Sequence, residues 1–104
     1  MTDTEAATVR DEGDGRYSVA GEMTVASVTR LRSRGLMAFA GGRGPVSLDF
    51  GQVTRADSGG LALLVDWLAW AQAAGRAMSF TSLPASILGL ARLSDVEDLL
   101  LGAH

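Results

Sequence analysis

The segment that most constrains this chain is "VSLDFGQVTRADSGGLALLVDWLAW", residues 46–70. Its first part alternates Val46, Leu48 and Phe50, the period-two pattern of a strand with one buried face. Its second part is apolar at helical spacing, and the order Asp57-Ser58-Gly59-Gly60 separates the two. At 100° per residue, the apolar positions run from Trp70 and Leu63 through Trp67, Leu64, Leu68 and Leu61 to Val65. That arc spans about 220°, whereas a helix resting on a sheet needs little more than 100°. If neighbouring helices do not cover this arc, one flank is exposed. Two tryptophans near that flank then mark either a protein interface or packing against other helices.

The rest of the chain reads around this unit. Residues 1–6 are polar and acidic, with no basic segment followed by an apolar one, and are expected to form a disordered tail rather than a secretory signal. "TVRDEG" and "RYSVAG" are strand candidates joined by a turn at "EGDGR". "MTVASVTRLRSRGLMAFAGG" has helical spacing, with Val25, Val28, Leu31 and Arg32 near one face, Leu36 and Phe39 continuing it, and Gly35 weakening its middle. "GGRGP" ends it. After "VSLDF", a helix is expected from Ser58 to Ala74, closed by Gly75. "AMSFTSL" is a further strand, and Pro84 opens a last helix, in which "LSDVEDLL" is expected to be a separate turn capped by Ser94 or Asp95. A hairpin followed by βαβ crossovers predicts an α/β domain with a mixed sheet of about four strands and helices packed against it. One domain over residues 7–104 is expected at this length.

Composition narrows the chemistry. There is no cysteine, which removes disulfides, thiolate metal sites and cysteine nucleophiles. The single histidine is His104, the last residue, so a Ser-His hydrolase has no suitable base. A net charge of -3 argues against a nucleic-acid partner, and "RLRSRG" at residues 30–35 reads as a solvated helix face. The longest apolar stretch, Leu61 to Ala71, is broken by Asp66 and falls short of the roughly 20 residues a bilayer requires. No catalytic residue, metal ligand or cofactor is expected.

Ser58 has two readings. As an N-cap it would accept from a backbone N–H of the first turn, with Asp57 favourably placed against the helix dipole. Capping leaves Gly59-Gly60 unexplained, since each glycine costs a helix about 1 kcal/mol relative to alanine. Glycines belong where φ is positive or where something approaches the backbone closely. A phosphate, bound there or attached to Ser58, would also meet free N–H groups and the dipole. The segment lacks the lysine and spacing of a nucleotide-binding P-loop.

"VTRADSGGLALL", the helix closed by "AAG", the strand "AMSFTSLP" and the helix "ILGLARLSDVEDLL" together resemble STAS domains, as does "RYSVAGEMT". This family includes anti-anti-sigma factors and the cytoplasmic ends of sulfate transporters. The likeness runs from about Gly15 to Leu100, and "SGGLALL" is most similar to its MlaB-type members, the STAS subunits of Mla phospholipid-transport ABC systems.

The resemblance implies the STAS fold and a non-enzymatic binding module. Its partner would be a cytoplasmic, MlaF-like ABC ATPase subunit. The chain would then lie in the cytoplasm, peripheral to the inner membrane through the transporter and without inserting into it. The transporter would serve outer-membrane lipid asymmetry. The implied contacts are Asp57, Ser58, Gly59 and Gly60 with Leu63 and Trp67 of the helix, and Thr54 and Arg55 in a loop ahead of it. The alternative is an anti-anti-sigma factor in which an anti-sigma kinase phosphorylates Ser58.

Overall fold

The β1–β2 turn shows how directly local chemistry sets this fold. Asp14 (φ 57°) and Gly15 (φ 77°) both adopt positive φ, the combination that a two-residue hairpin turn favours and that Asp-Gly supplies at low cost. In the computed structural model, which describes residues 7–102, this turn joins β1 (Thr8–Gly13) to β2 (Arg16–Met23) as an antiparallel pair. The expected tail at residues 1–6 lies outside the described residues. There follow α1 (Val28–Ala40), β3 (Val46–Ala56), α2 (Ser58–Ala73), β4 (Met78–Thr81), α3 (Ala85–Leu93) and α4 (Glu97–Leu101).

The four strands form one mixed sheet in the order β1-β2-β3-β4, with β2–β3 and β3–β4 parallel. Alternation decides its faces. Tyr17, Val19, Val46, Leu48 and Phe50 are buried, while Arg16, Asp49 and Thr81 are exposed. The buried face meets Leu31 and Phe39 of α1, Leu64 and Trp67 of α2, and Ile87 and Ala91 of α3 in one apolar cluster. Each such large side chain contributes about 1.5–3 kcal/mol by leaving water.

Three local expectations need correction. α1 begins at Val28, so Val25 is not on its buried stripe; it stands in the preceding turn, 67% exposed. Leu31, Gly35 and Phe39 form the buried row, and Arg32 is exposed. β3 continues to Ala56, beyond the apolar alternation, because its second half pairs with β2 past two register shifts. Thr54 and Arg55 therefore lie in a strand, not a loop. α4 is separate as expected, but Val96 precedes it with no side-chain cap, and Asp95 has φ 62°.

Gly35 is not a weak point in α1. A Cβ there would overlap the Trp67 indole and lie 2.8 Å from its Cε2, so the glycine admits the ring between α1 and α2. Phe39 packs edge-on to Trp67, with centroids 5.4 Å apart, and also against Trp70. The wide apolar arc of α2 is thus covered by α1 on one side and α3 on the other, with the sheet beneath. Arg76 closes the end of α1, donating to the Phe39 carbonyl at 2.6 Å and the Gly44 carbonyl at 2.7 Å. Its guanidinium also lies 5.5 Å from the centre of the Trp70 ring.

Candidate functional site

The start of α2 sits where β3 ends, beside the turn that leads from β2 into α1. Asp57, not Ser58, is the N-cap. Its backbone is extended, and its Oδ1 accepts from the Gly59 N–H at 2.8 Å. The same carboxylate accepts from the Val25 N–H at 3.1 and 3.3 Å. One side chain thereby ties the helix start to the β2–α1 turn, and the Asp57 N–H donates to the Met23 carbonyl at 3.2 Å. Aspartate and serine are comparable caps in isolation. The second donor, on Val25, is what a carboxylate can serve and a single hydroxyl serves less well.

The glycine pair has an internal role. A Cβ on Gly59 would lie 2.7 Å from the Val25 nitrogen and 2.8 Å from its Cα. A Cβ on Gly60 would lie 2.7 Å from the Met23 carbonyl oxygen and 3.2 Å from Ile87 Cδ1. Real Cβ atoms do not approach backbone so closely, so both positions require glycine for packing. Neither has a positive φ among the described residues. The close approach that the glycines permit is made by this chain's own backbone.

These contacts leave Ser58 as the first residue of α2, exposed, with a hydroxyl that makes no hydrogen bond among the described residues. Around it stand exposed Val25 and Ala62, and Gly59 is half-buried. A groove of about 320 Å³ runs between α1 and α2, lined among others by Val25, Val28, Gly59, Ala62 and the Arg32–Asp66 ion pair of 3.2 Å. The site therefore offers one free hydroxyl, an exposed valine and a shallow apolar channel on a rigid base.

The expected contact residues divide. Asp57, Ser58 and Gly59 come together at the surface. Gly60 is buried. Leu63, 2% exposed, lines the floor of the groove between α1 and α2, whereas Trp67 is 0% exposed, with Gly35 and Phe39 occupying the space around the indole. Thr54 and Arg55 are exposed on β3, Arg55 in register with Glu22. Val25 and Ala62 are also exposed here, outside the expected set; the spacing of Val25 fits the α1 stripe, although the residue precedes the helix. Among the described residues no cluster of acidic or histidine side chains could hold a metal ion, and no helix is long and apolar enough to cross a membrane.

A four-stranded mixed sheet whose third strand ends at a capped serine-glycine helix start is the arrangement of a STAS domain. The family model described as Mlab, STAS domain matches residues 6–102, and the chain belongs to that family. No curated protein sequence matches it.

Solved structures show the same fold. The unphosphorylated anti-sigma factor antagonist SpoIIAA superposes with a TM-score of 0.70 at 14% identity, covering 92% of this chain and 86% of that one. The phosphorylated form of SpoIIAA, a Bacillus cell fate determinant, gives 0.67 at 15% identity over 92% and 89%. The murine anion transporter Slc26a9, in its inward-facing state, gives 0.58 at 17% identity, with 83% of this chain matching 14% of the transporter.

Proposed function

We propose that residues 7–104 form a single non-enzymatic STAS module. It would dock through the start of α2 onto the cytoplasmic, MlaF-like ATPase of an Mla-type ABC transporter, acting in phospholipid transport and lipid asymmetry. The observation that carries this reading is the exposed Ser58 hydroxyl on a turn fixed by Asp57, within a chain of the Mlab family. The hydroxyl makes no hydrogen bond among the described residues, so its directed hydrogen bond is available to a partner. Val25 and Ala62 supply adjoining apolar area, and Thr54 and Arg55 extend the surface along β3. The module would lie in the cytoplasm, held at the inner membrane by the transporter alone. With no cysteine and only His104 as a histidine, the chain lacks a thiolate nucleophile and an imidazole within the described residues.

A second reading is favoured by one observation, the likeness to SpoIIAA, whose structure is known in unphosphorylated and phosphorylated forms. Ser58 is accessible to a kinase. A phosphate there would add about -1.5 to -2 charges beside Asp57 and repel an acidic or closely fitting partner. Affinity capture from the native cell, resolved by mass spectrometry, separates the two. The first reading expects an ABC ATPase that is lost on Ser58→Glu. Recovery of an anti-sigma kinase alone, with phosphate on Ser58, would establish the second in its place.

A further inference from the structure

A second surface lies at the sheet edge formed by β1. Among the described residues this strand pairs only with β2, so its outer side is a free edge there. Between that edge and α1 runs a groove of about 500 Å³, lined by Val9, Arg30, Ser33, Arg34 and Met37. Met37 is 77% exposed. Arg30 and Arg34 stand one helical turn apart, and neither meets a carboxylate at ion-pair distance among the described residues. The arginine between them, Arg32, is paired with Asp66 instead. On the opposite face of β1, Arg10 is exposed and likewise has no ion-pair partner among the described residues.

The acids of this strand are engaged locally. Asp11 accepts from the Gly13 N–H at 2.8 Å, and Glu12 accepts from the Ser18 hydroxyl at 2.7 Å. Asp11 and Asp14 lie toward the hairpin end, against Gly41 and Arg43 rather than in this groove. Among the described residues, Arg30 and Arg34 thus stand in the groove without an ion-pair partner, while Asp11 and Glu12 keep their charge nearer the hairpin end.

We propose that this edge receives an extended acidic peptide segment of a partner protein as an additional strand beside β1. Successive side chains of an added strand point to opposite faces. On the helix side they would meet Arg30, Arg34 and the apolar pair Val9 and Met37. On the open side they would meet Arg10 beside Glu12, so the selection for acidic residues comes from the helix side. Backbone hydrogen bonds along the edge supply affinity, and the arginines select acidic residues at alternate positions. An anionic membrane fits less well. The groove presents one methionine and one valine rather than the broad apolar face that membrane binding uses. This site is distinct from the start of α2 and does not depend on the reading of Ser58.

The test is a displayed library of random octapeptides selected on the full chain and counter-selected on the Arg30→Glu/Arg34→Glu variant. Both arginines are exposed, and an unchanged melting temperature verifies that the variant folds. Enriched sequences should alternate acidic and apolar residues, and the synthesised peptides should lose about tenfold affinity per reversed arginine. They should shift the amide resonances of Thr8–Glu12, lose binding when alternate backbone nitrogens are methylated, and bind Ser58→Glu normally. The proposal is overturned by no enrichment, by neutral or basic winners, or by winners that bind the variant equally. It is overturned in favour of a membrane if wild type, but not the variant, binds vesicles of one part phosphatidylglycerol to three of phosphatidylcholine. Self-association abolished by the same reversal would overturn it in favour of a second copy of the chain.

Discussion

The first turn of α2 and its middle are parts of one helix under opposite demands. At the first turn, Asp57 anchors the backbone to Val25 and leaves Ser58 in solvent. Two turns later, Leu63, Leu64 and Trp67 are wholly inside, with the indole pressed into the space that Gly35 leaves in α1. The contrast changes what the small residues mean. Gly59, Gly60 and Gly35 all mark places where this chain packs on itself, so a glycine pair next to a hydroxyl is not in itself a ligand cradle. The features exposed at this end are the Ser58 hydroxyl and the neighbouring Val25 and Ala62.

The largest expected effect is at the buried end. Trp67→Ala should cost about 3–5 kcal/mol in urea unfolding, the usual loss for a fully buried aromatic. A cost under about 1 kcal/mol would mean that the indole is not packed in the core. Gly35→Ala comes next. Its clash with the indole should outweigh the roughly 1 kcal/mol that alanine gains in a helix, for a net loss of about 1–3 kcal/mol. In a Trp67→Leu background that loss should shrink, because the two positions share one space. Additive losses would break the link between glycine and ring.

At the exposed end the effects are smaller and sharper. Asp57→Ala should cost about 0.5–2 kcal/mol by thermal or urea unfolding, since it removes the cap and the tie to Val25. Ser58→Ala should change stability by no more than about 0.5 kcal/mol. If the serine variant lost more than the aspartate variant, the capping roles assigned to the two residues would be reversed.

The elements were legible where pattern and punctuation agreed. Val46, Leu48 and Phe50 alternate, "EGDGR" spells its turn, and Gly75 ends α2 with φ 69°. What stayed hidden depended on contacts distant in sequence. Residues 51–56 of β3 carry no alternation, and pairing with β2 alone makes them a strand. The choice between Asp57 and Ser58 as cap was settled by the Val25 N–H, 32 residues away. The sequence left the tryptophans open between an interface and the interior. A glycine on another helix decides Trp67, while Trp70 is half-buried against Phe39 and Arg76. No local window contains those partners. Val25 shows the complementary error, since correct helical spacing continued past the point where the helix begins.

The central claim is that Ser58 serves a partner and not the fold, and one measurement tests it directly. Wild-type and Ser58→Glu chains are used as bait in the native cell, with captured proteins quantified by mass spectrometry and both melting temperatures recorded. Equal stability is expected, with an ABC ATPase enriched on wild type and strongly depleted on the glutamate variant. Equal recovery of that ATPase on both baits would contradict it.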